Sequence, residues 1–376
     1  MRKYKQGPPK EIICPHPDCF EPFPLWNLRF KSGDKTYPPE RPFLARWRGI
    51  PPRYAVGPNG ERLRAKVCPR HEHPLPYTAG EQEDLIIGLI GAKQTGKSHY
   101  VGTLLERLEG QVGTAFNGAL LNIDEATVAR RRMEFQDPLR RRLELNVTDP
   151  LAPPLLYNLT LSAPGNHGNI RSATLALCDT AGENLYSQDN IIERTKYLPC
   201  AAGLIFVIDL LQTEAVRQAV PSSVRLPLPD PQAAPNEILG RVVQELTKRG
   251  LVGGKRTAKL TTPVAVAVTK CDALREAGLI DAQSLWNQDV HHEGYYDLTL
   301  HDDVNGMFSE FVKQWSQAAW NIINASFENV AFFGVSATGC SSDKNHQYAR
   351  IAPWRVEDPL LWLLYQLGVI PGRRND

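Results

Sequence analysis

The chain has 376 residues, of which 42% are hydrophobic and 22% charged, and its formal net charge is +2. These values are typical of a soluble globular protein with two or three domains, or one large domain and an appendage. They exclude a strong overall attraction to nucleic acid or membranes. The sequence has no apolar run of about 18 residues, no secretion signal and no lipid-attachment motif, so we expect a cytoplasmic protein without a membrane span or lipid anchor.

The first 80 residues differ in composition from the rest of the chain. They are rich in proline, arginine and aromatic residues and lack a long apolar periodicity. A Gly-Pro-Asn-Gly turn at 57–60 separates the short segments 53–56 and 62–67, which predicts a β-hairpin. We predict a small domain over residues 1–80 and a larger domain over residues 84–371.

Two Cys-Pro segments frame this hairpin and predict a metal site. Cys14 and Cys19 are the first and last residues of the segment CPHPDC, and Cys68 is the first residue of the segment CPRHEH. Thiolates and imidazoles in a closed tetrahedron are the usual ligands of structural zinc, so the pattern predicts a zinc-ribbon β domain that Zn²⁺ holds together. The alternative is a chance grouping of three unrelated buried cysteines. The predicted ligands are Cys14, Cys19, Cys68 and His71, with His73 as the rival for the fourth position and His16 as a weaker candidate.

Arginine and aromatic side chains are interspersed in the same segment. This composition suits the docking of a partner protein, which we favour, and it also suits nucleic acid, which stays an alternative. The residues concerned are Trp26, Arg29, Arg46, Trp47, Arg48, Arg53 and Tyr54.

The most informative motif begins where the pattern changes, at about residue 84. The apolar run 85–90 predicts a strand, and the sequence GAKQTGKS follows it directly at 91–98. Glycines let the backbone wrap around an anion, so that N–H groups, a lysine and a helix N-terminus surround phosphate. A chance glycine-rich turn is the alternative, and the flanking strand and helix argue against it. The predicted nucleotide-binding residues are Gly91, Lys93, Gln94, Thr95, Gly96, Lys97, Ser98 and His99, with the Ser98 hydroxyl also on Mg²⁺.

Downstream, strands and helices alternate in a pattern that predicts an α/β fold. Apolar residues spaced i, i+3, i+4 and i+7 from Val101 predict a helix that ends at Gly110. Continuous apolar runs predict a mostly parallel sheet flanked by helices, and Asp358 and Pro359 mark the start of the last helix. The predicted strands are 155–162, 173–178, 203–209, 263–268 and 330–335, and the predicted insertions are 111–150, 219–235 and 274–303.

Three further motifs stand at the ends of predicted strands. Asp179 of DTAG supplies a carboxylate for Mg²⁺, and Gly182 supplies an N–H for the γ-phosphate. In TKCD, Asp272 would accept two hydrogen bonds from guanine. Adenine lacks that donor pair, so we expect ATP to bind about 10⁴-fold more weakly than GTP. The Lys270 stem would lie along the base, and a backbone N–H of the Ser-Ala pair would meet guanine O6. The predicted residues are Asp179, Gly182, Thr269, Lys270, Asp272, Ser336 and Ala337.

The set GAKQTGKS, DTAG, TKCD and SA, in this order, resembles the Ras-like P-loop GTPase superfamily. The resemblance covers residues of about 84–370 and implies a Ras-like domain that binds GTP or GDP with Mg²⁺ and hydrolyses GTP to GDP and phosphate. TKCD has Thr269 where the commoner form of the motif has asparagine, and threonine is an accepted variant there.

The resemblance also implies a threonine that closes over Mg²⁺ and the γ-phosphate from a loop after the first helix. Here that loop is the insertion 111–150. Thr148 is the predicted residue, with Thr114 and Thr127 as alternatives, and with a turn-capping role as the alternative for Thr148 itself.

Two departures from the superfamily bear on hydrolysis. Glu183 follows DTAG where a glutamine commonly orients the attacking water. Lys93 stands where small residues are common, so it either blocks an arginine finger from a partner or supplies positive charge itself. We therefore expect slow intrinsic hydrolysis, with Lys97, Gly182, Glu183 and Lys93 as the predicted catalytic residues.

The insertion 111–150 contains two arginine triplets, 130–132 and 140–142. One of these arginines would suit an internal finger, and a solvated basic helix is the interpretation we favour.

The sequence thus predicts a slowly hydrolysing GTP switch that signals to a protein partner, either an effector or a sister GTPase. The two Cys-Pro segments, DTAGE at 179–183 and RVEDPL at 355–360 resemble bacterial double-GTPase families of predicted anti-phage systems, which implies a role in bacterial defence. The alternatives are a non-hydrolysing guanine-nucleotide-binding module of a larger complex and a nucleic-acid binder gated by nucleotide.

Overall fold

The computed structural model describes most of the chain. The described residues are 8–40, 50–146, 149, 152–162, 170–180, 182–185, 195–221, 226, 228–230, 233–249, 259–280 and 294–374, with the backbone alone at 170, 183 and 184. Thr148, the side chain of Glu183 and the basic-aromatic residues Arg46, Trp47 and Arg48 lie outside them, so those predictions stay predictions.

A seven-stranded, mostly parallel sheet forms the centre of the protein, as predicted. Its strands are β8 (Glu83–Ile90), β9 (Ala119–Asn122), β10 (Leu155–Ser162), β11 (Ile170–Asp179), β12 (Gly203–Ile208), β13 (Val264–Val268) and β15 (Val330–Gly334). The strand order is β15-β13-β12-β8-β11-β10-β9. β10 is antiparallel to both of its neighbours, β11 and β9, and the other six strands run in one direction.

The apolar runs that predicted the central strands β8, β12 and β13 are buried along their whole length. Every residue of β8, β12 and β13 is buried, because helices cover both faces of a parallel sheet. The outer strand β10 instead alternates between buried and half-buried residues over its second half. The sheet therefore forms the core that holds the loops at its edge.

Helices flank the sheet and connect its strands. The described helices are α1 (Lys97–Arg107), α2 (Gly113–Ala115), α3 (Glu125–Arg130), α4 (Asp137–Arg140), α5 (Glu214–Ala219), α6 (Pro235–Lys248), α7 (Cys271–Glu276), α8 (Leu298–Trp315), α9 (Gln317–Ser326) and α10 (Asp358–Gln366). No described helix is both long and apolar enough to cross a membrane.

The helix after the phosphate loop does not end at Gly110, contrary to the sequence prediction. It continues as a π-helical segment, Leu108–Val112, and then as α2. Buried Leu108 and Val112 hold this segment against the core, so packing overrides the helix-breaking tendency of glycine.

The insertion 111–150 contributes structure that the sequence did not predict. Its strand β9 pairs with β10 and extends the sheet by one strand. It also contains α3, α4 and a second π-helical segment between them, Arg131–Gln136. The insertion is therefore folded onto the sheet edge beside the phosphate loop.

The amino-terminal region is built from short antiparallel strands, and the hairpin predicted around the turn at 57–60 is confirmed. Its strands are β1 (Glu11–Ile13), β2 (Pro22–Pro24), β3 (Arg29–Ser32), β4 (Lys35–Tyr37), β5 (Ala55–Val56), β6 (Arg62–Leu63) and β7 (Lys66–Val67). A small apolar cluster that includes Leu28 and Phe30 forms a core of its own here. Ile13 and Phe20 instead belong to the large core, so the two regions pack together. A further small pair, β14 (Tyr296–Asp297) and β16 (Gly372–Arg373), lies near the carboxyl end.

Candidate nucleotide site and cysteine cluster

The phosphate-loop segment 91–98 lies at the carboxyl end of the central strand β8. This strand has β11 on one side and β12 on the other, so the loop faces the crevice where chain connections diverge to opposite sides. Ligands of open α/β sheets bind in such crevices. The position of the loop therefore agrees with a binding role.

The backbone of this loop turns through left-handed conformations at two of its residues. Gly96 has φ +86° and Gln94 has φ +62°, a left-handed conformation that favours glycine and is uncommon for glutamine. A Cβ on Gly91 would lie 2.6 Å from the Val207 carbonyl oxygen. A Cβ on Gly182 would lie 2.1 Å from the Lys93 backbone nitrogen, so DTAG packs directly on the loop.

Two threonines fix the shape of the loop. The Thr95 hydroxyl donates to the Ala92 carbonyl oxygen at 3.0 Å. The Thr269 hydroxyl lies 2.7 Å from the Thr95 carbonyl oxygen and 3.1 Å from that of Ile208. Thr269 thus ties the TKCD segment to the phosphate loop and to the end of β12.

The Lys97 ammonium and the Asp179 carboxylate face each other at the base of the loop. Lys97 Nζ lies 3.7 Å from Asp179 Oδ1, and the two side chains are 6% and 0% exposed. The same ammonium lies 3.5 Å from the Gly91 carbonyl oxygen. The structure therefore brings together the predicted phosphate-binding lysine and the predicted Mg²⁺ carboxylate.

Asp272 is buried and held in place by Ser336. The Ser336 hydroxyl donates to Asp272 Oδ1 at 2.6 Å and accepts from the Gly339 N–H at 2.9 Å. The Ser336 backbone N–H donates to the Trp354 carbonyl oxygen at 3.0 Å. Of the predicted Ser-Ala pair, Ser336 therefore orients Asp272, and its N–H is already engaged, whereas Ala337 lines the cavity.

Asp209 is a site residue that the sequence analysis missed. Its carboxylate is 2.7 Å from Lys270 Nζ and also accepts from the Leu211 N–H at 3.0 Å. Lys270 Nζ in turn donates to the Gln94 carbonyl oxygen at 2.9 Å, which lays the lysine stem over the phosphate loop. The available signal was the position of Asp209 directly after the apolar run 203–208, at a strand end like the other site residues.

One cavity of about 450 Å³ joins these motifs. Its wall includes Lys93, Gln94, Gly96, Lys97, Ser98, His99, Gly182, Thr269, Lys270, Asp272 and Ala337. The phosphate loop and TKCD therefore open onto the same space, which is the arrangement that a bound nucleotide requires.

The insertion and the loop after β15 close one side of this cavity. Glu144 Oε2 lies 2.8 Å from His346 Nδ1, and the Glu144 N–H donates to the His346 carbonyl oxygen at 3.0 Å. His99 Nε2 lies 3.0 Å from the Tyr348 hydroxyl and 3.2 Å from the Leu145 nitrogen. Burial lowers the pKa of His99 to about 4, so its imidazole is neutral at pH 7. Its contacts hold Tyr348 and Leu145 together in this wall.

Arg130 and Arg131 are buried, which contradicts the favoured interpretation of a solvated basic helix for these two arginines. Arg131 pairs with both carboxylate oxygens of Glu109. Arg130 Nη2 lies 4.0 Å from Asp179 Oδ2. Arg132 and the triplet 140–142 are exposed, as that interpretation expects.

The alternatives to Thr148 have other partners in the structure. The Thr127 hydroxyl accepts from the Leu156 N–H at 3.0 Å. The Thr114 hydroxyl donates to the Gly110 carbonyl oxygen at 3.1 Å. Both therefore serve local structure in the insertion.

The residues present fit a nucleotide phosphate. The loop combines left-handed backbone at Gln94 and Gly96 with a buried ammonium at its base, as phosphate binding needs. The hydroxyl of Ser98 and the carboxylate of Asp179 are oxygen donors of the type that Mg²⁺ takes. The donor set therefore also fits Mg²⁺, with Asp179 shared between two cationic side chains.

Three cysteines come together in the amino-terminal region, as the two Cys-Pro segments predicted. The sulfur atoms of Cys14, Cys19 and Cys68 all lie within 4.8 Å of one another. Thiolates around one tetrahedral zinc would be about 3.8 Å apart, so small movements of the side chains would place all three sulfurs at zinc-binding distance. All seven cysteines of the chain are described and none forms a disulfide. Burial raises the pKa of the Cys14 and Cys19 thiols.

Both candidate histidines lie beside this cluster. His73 Nδ1 is 4.0 Å from Cys14 Sγ, and His71 and His73 both have a ring nitrogen within 4.8 Å of Cys19 Sγ. The His16 and His73 rings stack at 3.6 Å. Burial lowers the pKa of His73, which favours the neutral imidazole that binds metal. A set of three buried sulfurs and one imidazole fits structural zinc.

Among curated proteins, the chain is similar to the putative ESX-1 scaffolding and assembly protein SaeC of Mycolicibacterium smegmatis. The two are 26% identical over 404 residues, which cover 92% of this chain and 96% of the relative. The similarity therefore extends along nearly the whole of both proteins. No protein-family model matches the sequence.

Among solved structures, the chain matches translation elongation factor SelB from Methanococcus maripaludis in complex with the GTP analogue GppNHp. The TM-score is 0.26 and the identity 9%, over 68% of this chain and 30% of that chain. This chain thus covers less than a third of the length of that protein.

Proposed function

We propose that this protein binds GTP with Mg²⁺ and hydrolyses it slowly to GDP and phosphate. The observation that carries the proposal is that Lys97 of the phosphate loop and Asp272 of TKCD line the same cavity. A loop alone would suit many phosphate compounds. Its combination with a buried carboxylate in the same space selects a ligand with a phosphate chain at one end and paired N–H donors at the other.

Each end of the ligand has its own set of residues in this proposal. Loop N–H groups and Lys97 bind the phosphates, and Ser98 and Asp179 hold Mg²⁺, which supplies positive charge to the phosphate chain when it is bound. Asp272 accepts from guanine, with Ser336 fixing its carboxylate at 2.6 Å. Because the Ser336 N–H is engaged with Trp354, the N–H of Ala337 is our candidate for guanine O6.

Slow hydrolysis follows from the residues around the γ-phosphate end. Glu183 carries a negative charge where water activation is usually assigned to a neutral amide, and a carboxylate repels phosphate. Gly182 backs the Lys93 peptide so closely that no side chain fits between them. The two segments therefore form one wall at which Lys93 contributes positive charge.

The partner we propose is a component of a larger protein assembly. The SaeC relative is described as a scaffolding and assembly protein, and its similarity covers almost the entire chain. This supports the second candidate function, a guanine-nucleotide-binding module of a larger complex that does not hydrolyse GTP. A role in bacterial defence stays a prediction of the sequence resemblance. Location in the cytoplasm stays a prediction of the sequence composition and motifs.

We also propose that residues 1–80 form a zinc ribbon that holds structural Zn²⁺ and docks the partner protein. The three clustered sulfurs support the metal assignment. The separate apolar core around Leu28 and Phe30 is small, so we expect this region to depend on bound zinc for its stability. Nucleic acid is the other ligand that the arginine and aromatic content suits; binding that weakens steeply with salt would identify it.

Calorimetric titration with GTP and with ATP in excess Mg²⁺, followed by phosphate release in the same sample, tests the nucleotide proposal. We expect GTP to bind tightly and ATP to bind about 10⁴-fold more weakly. Phosphate should be released more slowly than about 1 s⁻¹. Binding without release over many hours would favour the module. Absence of GTP binding would contradict both functions.

A matched pair of variants sharpens the test. Asp272→Asn keeps an oxygen that accepts from Ser336 but removes the charge and replaces one acceptor by a donor. We expect it to reduce the preference for GTP over ATP by at least about 100-fold. The control is Asp303→Asn on the exposed surface of α8, which should leave the preference unchanged.

A further inference from the structure

Arg130 brings a positive charge from the insertion into the phosphate site. It is the last residue of α3, and its side chain is 5% exposed. Its Nη2 atom lies 4.0 Å from Asp179 Oδ2, whereas Lys97 Nζ lies 3.7 Å from the other oxygen, Oδ1. The buried carboxylate is therefore flanked by two cations, one on each oxygen.

The rest of the guanidinium is anchored, and the anchors direct Nη2 at Asp179. Arg130 Nε donates to Glu134 Oε2 at 2.9 Å, and Nη1 donates to the Pro153 carbonyl oxygen at 2.5 Å. The guanidinium carbon lies 5.8 Å from the centre of the Phe135 ring. Nη2 has no hydrogen-bond partner within the described part of the chain. A buried guanidinium with a spare donor is costly unless an anion completes its surroundings.

The neighbouring arginines do not share this arrangement. Arg131 is equally buried, but Glu109 neutralises it through both carboxylate oxygens. Arg132 has a side chain that is 74% exposed. Within this triplet, only Arg130 joins the insertion electrostatically to the phosphate site.

We propose that Arg130 is a positioning residue that shares the Asp179 carboxylate with Lys97 and thereby lowers the Mg²⁺ requirement of nucleotide binding. The inference rests on the guanine-nucleotide function proposed above and deepens it. A carboxylate that already faces two cations attracts a third cation less strongly. The same two cations attract the phosphates of a nucleotide, so they take over part of the charge neutralisation that Mg²⁺ supplies.

The Mg²⁺ dependence of GDP binding tests this inference without relying on turnover. The full chain is titrated with GDP in excess Mg²⁺ and in EDTA. The readout is the Kd in EDTA divided by the Kd in Mg²⁺, so a high ratio means a strong dependence on Mg²⁺. For the wild type we expect GDP to bind in both conditions, with a ratio of about 3 or less. In Arg130→Met, which keeps an apolar stem of similar length, Asp179 has only Lys97 as a counter-charge, and the ratio should rise at least about tenfold.

Three further variants separate charge from structure. Arg130→Lys disturbs the same packing but keeps a cation, so its ratio should stay within about threefold of the wild type. Arg132→Ala is the matched surface control and should not change the ratio. Glu134→Gln leaves Arg130 in place and removes the charge that partly neutralises it, so its ratio should not exceed that of the wild type. This half-exposed site, 38% accessible, also serves if Arg130→Met does not fold.

The outcomes distinguish this inference from the function on which it rests. GDP binding with the same strong Mg²⁺ dependence in the wild type, Arg130→Met and Arg132→Ala would overturn the role of Arg130 and leave the nucleotide site standing. Equal increases in Arg130→Met and Arg130→Lys would show a structural effect alone and would also overturn it. A ratio for Glu134→Gln well above the wild type would contradict the charge argument. No GDP binding by the wild type in either condition would overturn both proposals.

Discussion

The Tyr197 hydroxyl lies 2.7 Å from the Thr180 hydroxyl, and both groups are buried. Thr180 directly follows the Asp179 carboxylate, so this hydrogen bond reaches the phosphate site. On its other side, the Tyr197 ring meets the edge of the Phe20 ring, with centroids 5.8 Å apart. Phe20 directly follows Cys19 of the cysteine cluster. A continuous set of contacts thus joins the candidate zinc site to the candidate nucleotide site.

A second contact lies beside the first. The Cys200 thiol lies 2.9 Å from the Phe20 carbonyl oxygen. Lys196 Nζ donates to the Asp18 carbonyl oxygen at 3.3 Å. The segment 195–200 therefore holds the cysteine loop on one side and Thr180 on the other.

Removing the tyrosine hydroxyl tests this connection. Tyr197→Phe keeps the ring against Phe20 but leaves the Thr180 hydroxyl without this buried partner, which costs about 1–2 kcal/mol in the free energy of unfolding. If Thr180 is also released from its position, GTP binding should weaken several-fold. Chemical denaturation and calorimetric titration of the variant measure the two effects.

Tyr77→Phe is the control for this prediction, because Tyr77 is 57% exposed. It should change neither stability nor affinity. Wild-type stability in Tyr197→Phe would show that the buried hydrogen bond contributes nothing measurable.

The close approach of Gly182 to the phosphate loop gives a second prediction. In Gly182→Ala the new Cβ would lie 2.1 Å from the Lys93 backbone nitrogen, so the two segments must move apart. Because the atom that the Cβ meets belongs to the backbone rather than to a flexible side chain, we expect at least about a tenfold loss of GTP affinity. Titration of the variant measures it.

Gly240→Ala provides the matched control. Gly240 lies within α6, and a Cβ there would meet no atom within 4 Å. Alanine is the better helix former, so this variant should gain up to about 1 kcal/mol of stability and bind GTP normally. A Gly182→Ala protein with unchanged affinity would mean that the loop and DTAG need not touch for binding.

The central sheet could be predicted from the sequence because each buried parallel strand is a continuous apolar run, which is a local signal. The run 203–208 is apolar throughout, and the structure places a strand at Gly203–Ile208. The site motifs could be placed for the same reason, since Asp179 and Thr269 stand at or just after such strands. Parallel strands bring their carboxyl ends to one edge, which gathers the motifs without any knowledge of side-chain contacts.

Arg130 and Tyr197 could not be placed from the sequence because their roles depend on distant partners. Arg130 belongs to a basic run that looks solvated, and its burial depends on Pro153 and Asp179 elsewhere in the fold. Tyr197 follows no motif and acquires its contact with Thr180 through packing. The choice between His71 and His73 was open for a similar reason, because loop geometry rather than spacing decides which imidazole faces the sulfurs.

Metal analysis of the purified protein tests the cysteine cluster. We expect one Zn²⁺ per chain, and loss of the amino-terminal fold after chelation, because a structural zinc contributes on the order of 10 kcal/mol in such small regions. Cys68→Ser should lose the metal. His73→Ala and His71→Ala identify the fourth ligand, since only one of them should lower zinc affinity strongly.

Cys340→Ser is the control, because Cys340 lies outside the cluster and is half-buried. It should keep the full metal content. A metal-free protein with an intact amino-terminal region would refute the zinc site.

The pH dependence of stability gives a last prediction, which concerns Glu357 at the start of α10. Burial, together with the neighbouring Asp358 carboxylate, raises the pKa of Glu357 from 4.5 to about 7. The folded state therefore binds this proton more tightly than the unfolded state does. The resulting stability is fully present below pH 4.5 and is lost as the pH rises to about 7.

Glu357→Gln removes this proton linkage while keeping the shape of the side chain. We expect the variant to be more stable than the wild type above pH 7, by up to about 3 kcal/mol, and to lose the advantage near pH 4.5. The difference between the two proteins is the proper readout, because His99 acts in the opposite direction: its lowered pKa makes folding less favourable in acid. Thermal melts from pH 4.5 to 8 measure that difference. The control Glu310→Gln, at an exposed position of α8, should differ from the wild type by a constant amount, and a constant difference for Glu357→Gln as well would show that Glu357 is not protonated in the folded protein.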